Sequence, residues 1–139
     1  MDKVTLLKDL QLATYISLDL ETTGLDSYRC GITEISAYRF ENGEPVEEFT
    51  TLIDPERAIP KEISELTGIT PDMVFGKPKI SDVLSDLFEF IGNDPIVGQN
   101  IGFDISFLEQ ACRENGKSFP TYTIYDTLTL AKTFLFFLH

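Results

Sequence analysis

Two acidic residues that could bind a metal ion, Asp19 and Glu21, lie at the end of a short segment rich in β-forming residues. Residues 14–20 (TYISLDL) predict a strand, because a Thr-Gly turn signal follows them. Successive side chains of a strand point to opposite faces, so the two acids should share one face, with Leu18 and Leu20 on the other. A hard divalent cation such as Mg²⁺ or Mn²⁺ would offset the repulsion between neighbouring carboxylates. The same pattern also fits two acids at a solvated strand end.

The residues after this pair, Thr22, Thr23 and Gly24, predict a tight turn. Its backbone N–H groups and hydroxyls should face outward beside the acids, where they could bind a sugar or a phosphate. The turn therefore favours a ligand-binding site over a merely solvated acidic pair.

A second segment with polar residues at potential functional positions covers residues 96–108 (IVGQNIGFDISFL). It predicts a short buried strand, Ile96–Gly98, then a loop, then a helix over residues 104–114. Asp104 stands at the helix start, where aspartate is also favoured as a cap or as a partner of the helix dipole. Asn100 also fits an ordinary loop residue, and Phe103 also fits a core residue.

The two segments together resemble a known family. Asp-Leu-Glu-Thr-Thr-Gly at residues 19–24, followed about eighty residues later by the pattern at 97–108, is similar to the DnaQ-like (DEDD) 3′–5′ exonucleases. This family includes the proofreading domains of bacterial DNA polymerase III. Two further stretches, residues 59–74 (IPKEISELTGITPDMV) and 125–132 (YDTLTLAK), also match its pattern, so the resemblance covers nearly the whole chain.

The resemblance implies a ribonuclease-H-like fold and hydrolysis of nucleic acid from the 3′ end to nucleoside 5′-monophosphates, with two Mg²⁺ or Mn²⁺ ions as cofactors. Asp19 would contact both ions, Glu21 would hold the ion that activates water, and Asp104 would support the second ion. The residues implied to bind the 3′-terminal nucleotide are Leu20, Thr22, Thr23, Gly24, Asn100 and Phe103.

The family has a third motif, which supplies a fourth carboxylate and, in the DEDDh subclass, a histidine. This motif lies beyond the segment matched by residues 125–132, and the sequence ends at His139 before reaching it. We therefore expect a single domain, residues 1–139, that lacks the helix bearing the third motif. Asp126 fits a helix cap better than a replacement ligand. The alternative function is a catalytically incompetent remnant that binds nucleic acid or a protein partner.

The remaining elements predict an α/β domain with a five-stranded mixed sheet flanked by helices. Three antiparallel strands come first, at residues 14–20, 32–40 and 46–53, with an Asn-Gly hairpin signal before the third. Two parallel strands, Ile96–Gly98 and 121–125, come later. Helices are predicted over residues 60–66, from Thr70 onward, over 81–91 with Ser81 as the cap, over 104–114, and from Thr127 to the end with Asp126 as the cap.

The composition limits the interaction partners. The 139 residues include 42% hydrophobic types, which supports one folded domain, and a net charge of −12 excludes a basic clamp for nucleic acid. Two cysteines and no signal or membrane-spanning segment predict a cytoplasmic protein without membrane contact. We expect the partner to be the 3′ end of single-stranded DNA. The apolar tail around Leu128, Leu135 and Leu138 could in addition contact a polymerase or a second copy.

Overall fold

The computed structural model describes residues 13–127. Within this range none of the helices is long and apolar enough to cross a membrane. The elements, in chain order, are β1 (Thr14–Thr22), β2 (Ile32–Glu41), β3 (Glu44–Leu52), α1 (Lys61–Thr67), α2 (Pro71–Val74), α3 (Ile80–Ile91), β4 (Ile96–Gly98), α4 (Ile101–Glu114) and β5 (Ile124–Asp126).

The five strands form one mixed sheet in the order β3-β2-β1-β4-β5. The pairs β1–β2 and β2–β3 are antiparallel, whereas β1–β4 and β4–β5 are parallel. The predicted α/β architecture with three antiparallel and two parallel strands is therefore confirmed. The strand that carries the acidic pair, β1, is the central strand, and hydrogen bonds to both neighbours fix its position.

The hairpin between β2 and β3 is tighter than predicted. Its loop consists of Asn42 and Gly43 only, and both have positive φ angles, 52° and 82°. This is the geometry of the two-residue turn that Asn-Gly favours, because its twist matches that of the flanking strands. As a result β3 begins at Glu44, two residues before the predicted start at residue 46.

The helix starts differ from the predictions because capping groups come from unexpected residues. Helix α3 has Lys79, not Ser81, at its N-cap, and the carboxylate of Asp82 accepts the Lys79 N–H at 3.0 Å. Helix α4 begins at Ile101, three residues before the predicted start.

At the far edge of the sheet, β5 covers Ile124–Asp126 rather than residues 121–125. The predicted last helix, from Thr127 to the end, lies outside the described residues except for Thr127 itself.

The main core lies between one face of the sheet and the helices α3 and α4. The fully or almost fully buried members include Ile16 and Leu18 from β1, Leu84 and Leu87 from α3, and Leu108 from α4. A second, smaller cluster joins α1 and α2 to the end of β3; its members are Ile59, Ile69 and Val74, with Leu52 and Ile63 packed against them. The core thus anchors β1 and α4, the two elements that carry the acidic residues.

Arg39, on β2, connects the β2–β3 hairpin to the end of α3 and to the segment that follows it. Its side chain, 15% exposed, donates to the carboxylates of Glu47 and Asp94 and to the carbonyl of Phe90. The guanidinium also lies 4.9 Å from the centre of the Phe90 ring. Truncation of the Arg39 side chain would leave the two carboxylates and the Phe90 carbonyl without their hydrogen-bond donor.

We expect Arg39→Leu to lower the free energy of unfolding by about 2–4 kcal/mol, because it breaks a half-buried ion pair network. Urea denaturation measures this change. The matched control is Arg29→Leu, since Arg29 is 87% exposed and forms an exposed ion pair with Asp26 at 3.6 Å; it should cost less than about 1 kcal/mol. Equal losses in the two variants would contradict the role assigned to Arg39.

Candidate active site

The acidic pair on β1 shares one face of the sheet, as the strand periodicity predicts. Burial alternates along β1, with Leu18 and Leu20 buried and Asp19 and Glu21 facing away from the core. Because Leu20 is only 6% exposed and belongs to the main core, its side chain lies on the opposite face from the acids. The Leu20 side chain is therefore largely covered by the core, and binding of the terminal nucleotide by Leu20 stays a prediction.

Asp104 joins the acidic pair from a different element. It lies in the first turn of α4 and is 4% exposed, one of the few buried polar residues of the fold. Burial raises the pKa of Asp104 to about 7, and the nearby charges of Asp19 and Glu21 contribute to the same rise. The three carboxylates that the motifs single out are therefore close enough to repel one another, although about eighty residues separate them in the sequence.

A fourth acidic residue, Glu34, adds to this negative potential. It is directly opposite Glu21 in the antiparallel pairing of β1 with β2. The pKa of Glu21 is raised by burial first, then by Asp19, then by Glu34. Sequence reasoning missed Glu34, because the register of a strand pair is not visible in any motif. The predicted hairpin between β2 and β3 gives no information on the pairing of β2 with β1.

The turn after the acidic pair does not present its hydroxyls outward, so that prediction is wrong. Thr22 and Thr23 are both buried. The Thr22 hydroxyl donates to the carbonyl of Gly24 at 2.7 Å. The Thr23 N–H donates to the carbonyl of Gly31 at 2.8 Å, and the Thr23 hydroxyl accepts the Gly31 N–H at 3.0 Å. These groups shape the turn and hold it against the following loop.

Gly24 leaves space for the Cys30 side chain, which would have to shift if this residue had a Cβ. A Cβ at this position would lie 2.6 Å from the Sγ of Cys30, which is closer than such atoms approach in proteins. The loop at Cys30 and Gly31 thus packs directly behind the turn. The structure therefore assigns Thr23 and Gly24 to the shape of the turn, while the side chains of Asp19 and Glu21 face away from the core.

The remaining predicted residues lie at the start of α4. Asn100 is exposed and has a left-handed backbone conformation, with φ 51° and ψ 43°. Phe103 is half-buried, contacts the Phe107 ring at a tilt of 53° with 5.0 Å between ring centres, and packs on the main core. Gly98 makes this corner possible, because a Cβ there would lie 2.8 Å from the Leu18 carbonyl oxygen and 2.7 Å from Ile101.

The carboxylates fit a divalent cation by their chemistry. Asp19, Glu21 and Asp104 supply only oxygen donors, which Mg²⁺ and Mn²⁺ prefer, and their mutual repulsion is the kind that a cation offsets. Across residues 13–127, no three Asp, Glu, His or Cys side chains are already grouped as tightly as a preformed metal-ligand cluster. The arrangement thus supplies the ligand types and the electrostatic demand for a cation.

Comparison with known proteins identifies the family. The sequence profile of RNase_T, described as exonuclease, matches residues 16–136. The chain belongs to this exonuclease family. The fold agrees as well: the structure of E. coli exonuclease I in complex with a dT13 oligonucleotide aligns with a TM-score of 0.76 at 17% identity, covering 87% of this chain and 29% of that one. The ribonuclease-H-like fold that the motifs imply is therefore confirmed.

Similar proteins include DNA polymerase III proteins. A PolC-type DNA polymerase III of Clostridium perfringens is 41% identical over 118 residues, covering 85% of this chain and 8% of the relative. The epsilon subunit of DNA polymerase III from Aquifex aeolicus is 38% identical over 120 residues, covering 86% of this chain and 59% of the relative. The chain thus spans less than a tenth of the first relative and less than two thirds of the second. The similarity to DnaQ-like exonuclease domains is shown.

The raised pKa of Asp104 predicts a pH-dependent stability in the absence of divalent cations. An unfolded aspartate ionises near pH 4, whereas folded Asp104 keeps its proton up to about pH 7. The folded state therefore binds more protons in this window, and the free energy of unfolding falls as the pH rises from about 4 to about 7, by at most about 4 kcal/mol. Thermal unfolding in EDTA at pH 5 and pH 8 measures this change.

Asp104→Asn should remove most of that pH dependence and melt at a higher temperature than wild type at pH 8 in EDTA. Asp86→Asn is the matched control, since Asp86 is an exposed residue of α3. It should keep the wild-type profile. An Asp104→Asn variant that retains the full wild-type pH dependence would contradict the assignment to Asp104.

Thr23→Val should lower the free energy of unfolding by about 1–3 kcal/mol, because the partly buried Gly31 N–H loses its acceptor, the Thr23 hydroxyl. Thr23→Ser keeps the hydroxyl and should cost only the buried methyl group, about 1 kcal/mol. Hydrogen exchange of the Gly31 amide separates the two effects: exchange should be fast in Thr23→Val and slow in Thr23→Ser. A protected Gly31 amide in Thr23→Val would show that this hydrogen bond does not hold the turn.

Proposed function

We propose that this chain is a 3′–5′ exonuclease domain that hydrolyses the terminal phosphodiester bond of a nucleic acid and releases nucleoside 5′-monophosphates. Asp19, Glu21 and Asp104 hold Mg²⁺ or Mn²⁺ at the 3′ end of the substrate. The observation that carries the proposal is the convergence of these carboxylates from β1 and α4, where the charges of Asp19 and Glu21 add to the burial that raises the pKa of Asp104. The exonuclease family of the chain supports the same reaction.

Each of these side chains has a distinct position from which to act. Asp19 and Glu21 extend from the central strand, so the sheet fixes their separation. Asp104 approaches from the first turn of α4 and is shielded from water, which strengthens its interaction with any cation beside it. When bound, such ions lower the pKa of water and offset the charge that develops on the phosphate. Asn100 and Phe103 line the same corner and contact the terminal nucleotide.

The expected substrate is the 3′ end of single-stranded DNA. Relatives named as DNA polymerase III proteins support DNA, and the same relatives favour a cytoplasmic role in replication. With a net charge of −12 the chain does not attract phosphates by its overall charge. Binding therefore depends on the cations at the three carboxylates and on contacts to the last nucleotides, and free strands should bind weakly unless a polymerase delivers them.

The test is degradation of a 5′-labelled single strand in the presence of Mn²⁺ by wild type and by Asp19→Ala. Wild type should shorten the strand stepwise from the 3′ end, and Asp19→Ala should lower the rate by at least about 100-fold, because it removes a ligand from the metal site. The matched control Asp86→Asn changes the charge by the same amount on the exposed face of α3 and should keep the wild-type rate.

Three outcomes separate the candidate functions. Stepwise cleavage that depends on Asp19 supports the exonuclease. Cleavage that is equal in wild type and Asp19→Ala comes from a contaminating nuclease and contradicts the proposed site. Absence of cleavage together with Mn²⁺-dependent binding of the strand favours the alternative, a nucleic-acid-binding remnant, and fluorescence anisotropy of the same labelled strand measures that binding.

A further inference from the structure

Asp126 connects the last described strand to the start of the helix that carries Asp104. It is the final residue of β5. One carboxylate oxygen, Oδ1, accepts the N–H of Asn100 at 3.3 Å, and the other, Oδ2, accepts the N–H of Ile101 at 3.2 Å. Both bonds join residues at least 25 positions apart in the sequence, so they are tertiary contacts and not part of a local turn.

This arrangement replaces the usual way of capping a helix. An asparagine at an N-cap normally has an extended backbone, and its own side chain accepts an N–H of the first turn. Asn100 instead has the left-handed conformation, and its side chain makes no capping hydrogen bond. The N–H groups of Asn100 and Ile101 donate to the carboxylate of Asp126, and its negative charge also interacts favourably with the positive end of the α4 dipole.

The sheet places Asp126 where it can do this. Strands β4 and β5 are parallel, and Asp126 is paired with Gly98, the last residue of β4. After Gly98 the chain leaves the sheet and reaches Asn100 within two residues. The Asp126 carboxylate therefore holds the backbone at the point where it turns from β4 into α4, and so it fixes the direction in which α4 starts.

The first turn of α4 carries both Phe103 and Asp104, so a change in its direction would move the carboxylate that faces Asp19 and Glu21. We infer that Asp126 is a positioning residue: it fixes the first turn of α4 so that Asp104 faces the acidic pair, and it caps the helix so that the Asn100 side chain stays exposed. With both oxygens of its carboxylate accepting backbone N–H groups, Asp126 acts through α4. The metal-binding part of this inference rests on the proposed function.

The test compares loss of the capping carboxylate at the start of α4 with loss of the capping carboxylate at the start of α3. Asp126→Ala removes the cap of α4, and Asp126→Asn keeps its shape with one acceptor oxygen. The matched control is Asp82→Ala, because Asp82 accepts the Lys79 N–H at the start of α3, a helix with no predicted site residue. The probe is Mn²⁺, with the free ion measured by electron paramagnetic resonance. The Asp126 variants should weaken Mn²⁺ binding by about 10–100-fold, as losses of supporting contacts at metal sites do.

Asp82→Ala should keep the wild-type Mn²⁺ affinity within about twofold, even where its melting temperature falls as far as that of the Asp126 variants. This pattern separates positioning from a general loss of stability. Wild-type Mn²⁺ affinity in both Asp126 variants would overturn the inference, and so would an equal loss of affinity in Asp82→Ala. Should Asp126→Ala fail to fold, Asp126→Asn decides between these outcomes.

Hydrogen exchange tests the inference without relying on metal binding. The amides of Asn100 and Ile101 should exchange at least about 10-fold faster in the Asp126 variants than in wild type. The amides of Phe103 and Asp104 should also exchange faster, because they lie in the same first turn of α4. Unchanged exchange at these amides would overturn the inference. If wild type and Asp19→Ala bind Mn²⁺ equally weakly, the proposed metal site is wrong; faster exchange confined to the start of α4 would then still support the positioning role of Asp126.

Discussion

Mutual repulsion among the buried Asp104, the half-buried Glu21 and the exposed Asp19 is the constraint on which the rest of the site depends. Asp104 is shielded from water beside Asp19 and Glu21, and a charge in that position is costly unless a cation or a proton offsets it. The fold tolerates this cost because the opposite face of β1 contributes Ile16 and Leu18 to the main core. The same strand thus combines the stabilising apolar contacts with the acidic residues whose repulsion creates the demand for a cation.

The backbone around these carboxylates is held by close approaches and tertiary hydrogen bonds rather than by the acids themselves. Gly98 lets the end of β4 pack against β1 and α4, and Gly24 leaves room for Cys30. The two hydrogen bonds between Thr23 and Gly31 fix the turn after β1. Asp126 performs the corresponding task at the start of α4. Rigid support of this kind matters because a displaced ligand loses metal affinity steeply.

The overall acidity of the chain and the acidity of the site have different consequences. A net charge of −12 keeps phosphates away from most of the surface, whereas the three carboxylates attract the cations that would bring a phosphate to one place. Glu34 strengthens the local potential through its pairing with Glu21. The proposed function is therefore compatible with an acidic chain, provided that the contacts to the substrate are concentrated at these carboxylates.

The sequence by itself determined the features that depend on local periodicity and on motif spacing. These include the five strands, the shared face of Asp19 and Glu21, the Asn-Gly hairpin and the family. Each of them follows from short patterns of neighbouring residues or from the order and spacing of such patterns. Only the tertiary structure decided the burial of Asp104, the position of Glu34 opposite Glu21, the inward hydroxyl of Thr23 and the capping of α4 by Asp126. Each of these depends on contacts between segments that are distant in the sequence, and a local sequence pattern does not predict such contacts.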